Sequence, residues 1–379
     1  MRILHTADWH LGKIVNEFSM LDLQKEYLEK LVGKVKELDV DVLIMAGDLY
    51  DRAIPPKEAV SLANEIFTQL TQELGIAVFV IAGNHDSNER LEYGSSLLSK
   101  SQLYIEGTSK KKVRKVEIDN THFYLIPYDD HRKIRQIYED KDIKNPEDAL
   151  RKQLETIRED WDPDAVNILL YHGFITNIAA DTELEESDSE RPLSIGAVDF
   201  VPYELVKDFD YVALGHLHKA QKVGNEHIRY SGSPLKYSKS EANHQKQSLL
   251  IDISKDSFER KSVKIKLSKD LRLVRGKFLE ILKSSSEDYL FFELEDKNYV
   301  IDAMNKLRQK YPYTMGLEYI HQKEQEELEL NHSKEKIKKT SLKDLFSDFY
   351  EQNLLVPLNE EQEEAVIDAL EKVNEKENK

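Results

Sequence analysis

Short, continuously apolar runs separated by amphipathic segments constrain the fold of this chain more than any other feature. The runs lie at residues 2–6, 42–45, 78–81, 123–126, 167–170 and 211–214. Because all but the first are apolar at almost every position, the strands that they form are expected to be covered on both faces. Residues 21–38 and 57–74 carry their apolar side chains at helical spacing instead. This alternation predicts an α/β fold built from layers of sheet and helix.

Five of these six apolar runs are followed by residues that commonly bind metal ions. The clusters are Asp8-Trp9-His10, Gly47-Asp48-Leu49-Tyr50-Asp51, Gly83-Asn84-His85-Asp86, His172-Gly173 and Gly215-His216-Leu217-His218. The carboxyl ends of strands in one such sheet line a single crevice, so the clusters are expected to converge on one site at the rim of a single sheet. One such cluster would be weak evidence, but five in order, each after a strand, are strong evidence.

The residue types in these clusters indicate which ions bind and how many. The candidate ligands are Asp8, His10, Asp48, Asn84, His172, His216 and His218. On an extended segment, residues two apart point the same way, so Asp8 and His10 can face one ion together. Carboxylate, imidazole and amide ligands suit Mn²⁺, Fe²⁺ or Zn²⁺ rather than Ca²⁺. Seven ligands exceed what one tetrahedral ion needs, so we expect two ions that share a carboxylate.

The motifs resemble those of the calcineurin-like metallophosphoesterase superfamily. In chain order they are Asp-x-His, Gly-Asp-x-x-Asp, Gly-Asn-His-Asp, His-Gly and Gly-His-x-His, and they span residues 5–218. The fuller strings at 5–12 (HTADWHLG), 46–51 (AGDLYD) and 82–87 (AGNHDS) are similar to those of the bacterial SbcD branch. Members of that branch are exonuclease partners of the SbcC ATPase. The resemblance implies a layered sandwich of two β-sheets flanked by helices, with a small α+β capping domain and C-terminal helices.

The resemblance also implies a role for each residue of the motifs. It assigns one ion to Asp8, His10, Asp48 and His218, and the other to Asp48, Asn84, His172 and His216, with Asp48 bridging. It makes His85 the group that donates a proton to the leaving oxygen or stabilises the transition state, with Asp51 or Asp86 orienting its ring. A purely structural role for His85 is the alternative. The implied reaction is phosphodiester hydrolysis by water that two metal ions activate.

Composition narrows the chemistry and the location. The 379 residues include no cysteine, which excludes thiolate metal sites and cysteine nucleophiles and is typical of a cytoplasmic protein. There is no run of 18 apolar residues and no signal-peptide pattern at the N-terminus, so a membrane span is not expected. A net charge of −17 weakly disfavours nucleic acid as a partner. Bound cations or a basic partner subunit would offset that charge.

The character of the sequence changes near residue 268, and four segments are predicted. They are a nuclease domain at 1–267, an α+β capping domain at 268–322, a charged linker at 323–340 and a helical tail at 341–379. An amphipathic helix in the tail docks either on its own domain or in the groove of a partner, and periodicity favours neither. Within the nuclease domain, the acidic segment at 181–191 is predicted to be a mobile loop.

The leading functional hypothesis is a metal-dependent DNA nuclease that works with an SbcC-type ATPase in DNA end processing, recombination and repair. The expected activities are double-strand exonuclease and single-strand or hairpin endonuclease, with Mn²⁺ as the expected ion and Mg²⁺, Fe²⁺ or Zn²⁺ as alternatives. The resemblance further implies a homodimer, through helices near 57–74 and 88–100, within a heterotetramer that binds the ATPase through the C-terminal helices.

Two other functions stay open at this point. A phosphatase or small-molecule phosphodiesterase of the same superfamily would use the same chemistry, but it would not need residues 268–379. A non-enzymatic adaptor for the ATPase would not need an intact set of metal ligands.

Overall fold

The computed structural model describes residues 1–177, 184–190 and 200–321, together with positions 347, 350, 358, 359, 362 and 366. The predicted linker at 323–340 lies outside the described residues, and so does the tail at 341–379 apart from those single positions. Within the described ranges, no helix combines the length and the apolar character that crossing a membrane requires.

The described chain alternates strands and helices, as the apolar runs predict. The strands are β1 Arg2–Thr6, β2 Ile14–Val15, β3 Phe18–Ser19, β4 Val42–Ala46, β5 Ala77–Ile81, β6 Leu103–Glu106, β7 Arg114–Ile118, β8 Thr121–Ile126, β9 Val166–His172, β10 Phe174–Thr176, β11 Phe200–Pro202, β12 Tyr211–Gly215, β13 Gln221–Val223, β14 Asn225–Tyr230, β15 Ser248–Ser254, β16 Ser257–Val263, β17 Leu271–Gly276, β18 Tyr289–Leu294 and β19 Thr314–Tyr319. The α-helices are α1 Leu21–Glu37, α2 Lys57–Thr68, α3 Asn88–Glu92, α4 Ser95–Leu98, α5 His131–Tyr138, α6 Pro146–Arg158, α7 Phe278–Ile281 and α8 Ala303–Lys310. A π-helical turn at Gln69–Glu73 continues α2, and 3₁₀ turns lie at Ser99–Ser101, Tyr203–Leu205 and Lys239–Asn243.

Two six-stranded sheets form the centre of the fold. The first has the order β16-β15-β1-β4-β5-β6, and its strands β1, β4, β5 and β6 are parallel. The second has the order β13-β14-β12-β9-β8-β7, with β8, β9, β12 and β14 parallel. In the first sheet, β1 and β4 pair with Ile3 opposite Val42, so both strands reach their carboxyl ends at the same rim.

Side chains along the central strands alternate between two apolar layers. On β4, Ile44 packs into a core that also contains Phe79 of the first sheet and Phe123 of the second, which places this core between the sheets. Its neighbour Leu43 packs instead with side chains of α1 and α2 on the outer face. Fully burying one such side chain stabilises the fold by about 1.5–3 kcal/mol.

Helix α6 covers the outer face of the second sheet through Leu150, Leu154 and Ile157. The order of layers is therefore helix, sheet, sheet, helix. The predicted α/β sandwich of two sheets flanked by helices is confirmed.

The chain divides into two compact units. The first comprises Met1–Val274, Ser285–Phe291 and Asn305–Gly316, and it contains both large sheets. The second takes in Arg275–Ser284, Phe292–Met304 and the described residues that follow Gly316. The strands β17, β18 and β19 form a three-stranded sheet in that order, with α7 and α8 in its connections. This is the small α+β element expected after residue 268, while the predicted domain boundaries stay predictions.

Candidate metal centre

The predicted ligands all lie at the carboxyl ends of strands from the two large sheets. Asp8 and His10 follow β1, Asp48 follows β4, Asn84 follows β5, His172 ends β9, and His216 and His218 follow β12. The rims of the two sheets meet at this point, because Nδ1 of His172 lies 2.9 Å from the carbonyl oxygen of Ala46, the last residue of β4. The sheets therefore bring together side chains that are far apart in the sequence. The expectation of a single sheet is wrong, because β1, β4 and β5 belong to the first sheet while β9 and β12 belong to the second.

Four of the predicted ligands have left-handed backbone conformations. Their φ angles are 54° at Asp8, 46° at His10, 56° at Asp48 and 110° at His216. Each such conformation in a residue other than glycine costs on the order of 1–3 kcal/mol. The backbone N–H of His10 donates to the carbonyl of Asp48 at 2.9 Å and helps to hold the first two turns against each other. These turns direct the side chains away from the sheet and into the shared site.

Glycines next to the ligands leave space for the close approach of neighbouring groups. A Cβ atom on Gly83 would lie 2.2 Å from Oδ1 of Asp48, and one on Gly47 would lie 2.1 Å from Nδ1 of His172. Gly47 also has a φ of +95°, which side chains disfavour. Any other residue at either position would displace a predicted ligand.

The donor atoms of the ligands crowd together in two overlapping groups. In each group, one donor atom per residue lies within 4.8 Å of the others, and the groups are Asp8, His10 and His218, and Asp8, Asp48 and His172. Nε2 of His10 lies 3.0 Å from Nε2 of His218. Oδ2 of Asp48 lies 3.6 Å from Nε2 of His10 and 3.5 Å from Nε2 of His172, so it stands between the two groups.

The remaining two ligands adjoin the second group. Oδ1 of Asn84 lies 3.0 Å from Nε2 of His172. The ring of His216 lies beside that of His172, with 5.6 Å between their centroids, and its backbone N–H donates to Oδ1 of Asp8. The structure thus brings all seven predicted ligands to one place.

Burial keeps the histidines of the site neutral. It lowers the pKa of His172 to about 4, and it lowers the pKa of His10 and His216 well below the usual value, helped by neighbouring histidines. The pKa of His218 is lowered by burial as well. A neutral imidazole offers a lone pair, which is the form that binds metal ions.

The carboxylates of the site need a cation that the described protein groups do not provide. Burial, and then the charge of Asp48, raises the pKa of Asp8 well above its usual value. Among the described residues, Oδ2 of Asp8 and Nδ1 of His10 are buried with no hydrogen-bond partner. Leaving a buried carboxylate oxygen without a partner is unfavourable unless a positive charge stands next to it. The donor set therefore fits divalent metal ions.

Outer contacts orient two of the histidines. Nδ1 of His172 points at the carbonyl of Ala46, which leaves Nε2 as the donor toward Asp48 and Asn84. Nδ1 of His218 lies 3.3 Å from a carboxylate oxygen of Glu241, which is fully buried and ion-paired with Lys246. Burial alone would raise the pKa of Glu241, but Lys246 and His218 outweigh it and lower that pKa.

Glu241 was not among the residues predicted from the sequence. A single glutamate in a polar stretch carries no motif, so only the folded contacts reveal its place behind His218.

The acidic segment predicted to be a mobile loop contacts this site in its described part, 184–190. The Ser189 hydroxyl lies 2.7 Å from Nδ1 of His218, and the Glu190 carboxylate accepts from the backbone N–H of His218 at 2.6 Å. Burial raises the pKa of Glu190 to about 7. The mobility of the segment stays a prediction, and the acidic composition alone did not indicate these contacts with His218.

His85 lies at the edge of the ligand set. Its ring is 4.6 Å from that of His10, and its backbone N–H donates to Oδ1 of Asp48. Nδ1 of His85 lies 2.8 Å from the backbone carbonyl of Asp51, so the main chain of Asp51 positions the ring. The Asp86 carboxylate instead accepts the backbone N–H groups of Leu49, Tyr50 and Gly83. Asp86 thus links the loop that follows β4 to the loop that follows β5. The role predicted for it was instead to orient the ring of His85.

Comparison with known families agrees with this geometry. Residues 1–220, which include every predicted site residue, match the calcineurin-like phosphoesterase family. The chain belongs to this family. Residues 268–353 match a second family, SbcD_C, described as the Type 5 capsule protein repressor C-terminal domain. The two matches together confirm the resemblance to the SbcD branch. The chain is therefore a metallophosphoesterase, a metal-dependent hydrolase whose family uses two divalent ions.

Two solved structures resemble part of the chain. One is TT1561 of Thermus thermophilus, with 14% identity and a TM-score of 0.43 over 69% of this chain and 99% of that one. The other is a dimetal phosphatase from Danio rerio, with 11% identity and a TM-score of 0.41 over 69% of this chain and 95% of that one.

Proposed function

We propose that this chain is a DNA nuclease that works with an SbcC-type ATPase in DNA end processing, recombination and repair. The observation that carries the proposal is a phosphoesterase metal centre followed, in the same chain, by a match to the SbcD_C family at 268–353. A phosphatase of small molecules would not need that C-terminal region. The proposed activities are exonuclease on duplex ends and endonuclease on single strands and hairpins.

The proposed ligand assignment is the one that the family resemblance implies, and the group of Asp8, His10 and His218 falls within its first set. One ion binds Asp8, His10, Asp48 and His218, and the other binds Asp48, Asn84, His172 and His216. The position of Asp48 Oδ2 between His10 and His172 supports its role as the bridging ligand. Mn²⁺ is the proposed ion, since it accepts both carboxylate and imidazole ligands.

When bound, two divalent ions lower the pKa of a water molecule and neutralise phosphate oxygens, which prepares attack on phosphorus. The protein groups supply the rest of the chemistry. His85 holds a proton near the position of the leaving sugar oxygen and transfers it as the bond to phosphorus breaks. The Asp51 carbonyl keeps the ring of His85 in the orientation that this transfer requires.

Bound metal ions would reduce the repulsion between this acidic chain and DNA at the site itself. The net charge of −17 would repel a phosphate backbone, but the carboxylates of this site are buried and face the ions. A basic partner subunit would supply further attraction outside the site.

The proposed partner of the C-terminal region is the ATPase subunit. We propose a nuclease domain at 1–267, a capping domain at 268–322, a linker at 323–340 and an ATPase-binding tail at 341–379. The proposed location of the protein is the cytoplasm. The match to SbcD_C, which runs to residue 353, supports this arrangement. Co-purification of the full chain with its ATPase tests it. Helical spacing predicts that Leu345 and Phe349 share the apolar face of a tail helix, so a Leu345→Asp, Phe349→Asp variant that still co-purifies would contradict the proposal.

A second copy of the chain is the other proposed partner. Around α2, α3 and α4, the side chains of Ile54, Tyr93 and Leu97 are 68%, 87% and 72% exposed. Tyr93 lines an apolar groove of about 680 Å³ together with Phe67 and Leu91. Ile54 and Leu97 are sequence neighbours of other residues that line this groove. Exposed apolar area of this kind marks interaction surfaces. Sedimentation equilibrium of the purified chain should show a dimer, and a monomer at micromolar concentration would contradict the proposal.

Cleavage assays test the nuclease activity directly. The full chain with Mn²⁺ should degrade linear duplex DNA and open hairpin ends, and EDTA should abolish both activities. Bis(p-nitrophenyl) phosphate serves as the comparison substrate, because it is a phosphodiester that has none of the other features of DNA. Turnover of the aryl diester without any cleavage of DNA, alone or with the ATPase, would contradict the proposed substrate.

A further inference from the structure

We propose that Lys13 is a positioning residue for the phosphodiester reaction, which holds Asp51 in place and through Asp51 the ring of His85. The inference rests on the proposed role of His85, but not on DNA as the substrate. Lys13 belongs to none of the motifs, and neither of the two proposed ion sites includes it.

The first link is an ion pair shielded from solvent. Nζ of Lys13 donates to Oδ1 of Asp51 at 2.9 Å, and the two side chains are only 11% and 14% exposed. The Tyr237 ring lies 5.5 Å from the same ammonium group. Arg52 lies 3.7 Å from the other carboxylate oxygen of Asp51 but is half exposed. A sheltered pair is screened less by water than a surface pair, so Lys13 restrains Asp51 more strongly than Arg52 does.

The second link runs through the backbone of Asp51. The backbone N–H of Asp51 donates to the carbonyl of Leu11, at the isolated bridge between Leu11 and Tyr50. Its carbonyl oxygen lies 2.8 Å from Nδ1 of His85. Lys13 and the Leu11 carbonyl thus hold the residue whose carbonyl sets the orientation of the His85 ring. If Asp51 rotates, that carbonyl moves and the ring loses its acceptor.

The charge of Lys13 also limits what else can occupy this corner of the site. Donor atoms of His10, Asp51 and His85 lie within 4.8 Å of one another and would otherwise suit a cation. The ammonium group already occupies one Asp51 oxygen, and a further cation beside it would be repelled. This geometry favours a positioning role over a third metal site.

The test compares Lys13→Ala, Lys13→Arg, Asp51→Asn and the Lys13→Ala, Asp51→Asn double variant in the full chain with Mn²⁺. Hydrolysis of bis(p-nitrophenyl) phosphate is the readout, so the result does not depend on DNA being the substrate. Lys13→Ala should lower kcat by about 10- to 100-fold, the cost of a catalytic group misplaced by roughly 1 Å. KM and the Mn²⁺ affinity from calorimetry should stay within about twofold, because the metal ligands and the substrate site are unchanged.

Two further results separate positioning from a general structural effect. Lys13→Arg should recover most of kcat, since it restores the charge and the hydrogen bond. The double variant should be no slower than the slower single variant, because both changes break the same link. Lys57→Ala is the matched control, since Lys57 also stands beside a carboxylate but is 90% exposed, and it should leave kcat unchanged.

Several outcomes would overturn the inference. Losses that multiply in the double variant would show that Lys13 acts independently of Asp51. A raised KM at constant kcat would make Lys13 a substrate-binding group, and Mn²⁺ affinity that falls in parallel with kcat would make it a support of the metal ligands. The melting temperature of each variant identifies any loss of folding. If Lys13→Ala has a much lower melting temperature than the unchanged chain, the kcat of Lys13→Arg decides the test instead.

Discussion

At the scale of single residues, the ligand set includes polar atoms that no described protein group satisfies. Oδ2 of Asp8 and Nδ1 of His10 have no hydrogen-bond partner among the described residues. An unsatisfied buried polar group costs about 1–3 kcal/mol, and more when it is charged. The left-handed backbone conformations add a further free-energy cost, so the arrangement of the ligands is unfavourable without ions. Bound cations would offset these costs. Residue-level strain of this kind is expected at functional sites.

His85 offers the clearest prediction at this scale. The change is His85→Ala, which removes the proposed proton donor but none of the seven metal ligands. Mn²⁺ should bind as in the unchanged chain, while phosphodiester turnover should fall by about 10²- to 10⁴-fold, as for loss of a general acid. Calorimetry and steady-state kinetics measure the two quantities separately.

Asp48→Ala provides the contrast, because it removes the bridging ligand and should lose metal binding and activity together. Full activity in the His85→Ala variant would leave His85 with only a structural role. Loss of Mn²⁺ binding in that variant would instead place His85 among the metal ligands.

At the scale of secondary-structure elements, the loops after the strands matter more than the strands themselves. Gly83→Ala should disrupt the site, since its Cβ would lie 2.2 Å from Oδ1 of Asp48 and 2.3 Å from the backbone nitrogen of Asp48. We expect a lower melting temperature and a Mn²⁺ affinity reduced by at least about tenfold, as for other changes that displace a metal ligand.

Gly33→Ala is the matched control for that substitution. Gly33 lies within α1, and an added Cβ would meet nothing within 4 Å. Alanine there should stabilise the helix by about 0.5–1 kcal/mol and leave metal binding unchanged. Equal behaviour of the two variants in differential scanning calorimetry and Mn²⁺ titration would refute the proposed crowding at Gly83.

Elements with continuous apolar runs could be predicted from the sequence, and helix boundaries less well. The largely apolar run at 289–294 forms β18 over its whole length. Helix α8 begins only at Ala303, and the preceding Asp302 has a φ of 58°, which a helix does not accept. Periodicity reports which face is apolar, but a single left-handed residue leaves no such pattern.

At the scale of the whole molecule, the order of the motifs carried most of the information about the site. Each motif follows a strand, and parallel strands end at one rim, so convergence of the ligands within each sheet could be predicted. The meeting of the two rims, through His172 and the carbonyl of Ala46, could not be predicted from the order of the motifs. The contacts of Glu241 and Lys13 could not, because a lone charged residue carries no motif and its partner depends on the folded loops. The proposed dimer and the tail that binds the ATPase likewise rest on family resemblance rather than on periodicity.

The most direct test of the account is anomalous diffraction from crystals of the full chain grown with Mn²⁺, recorded above and below the manganese absorption edge. Two adjacent peaks should appear at the rim where β4 and β9 meet, both in contact with Asp48. One should also contact His10 and His218, and the other Asn84 and His172. A single peak, two peaks that do not share Asp48, or an empty rim at saturating Mn²⁺ would contradict a centre that binds two ions.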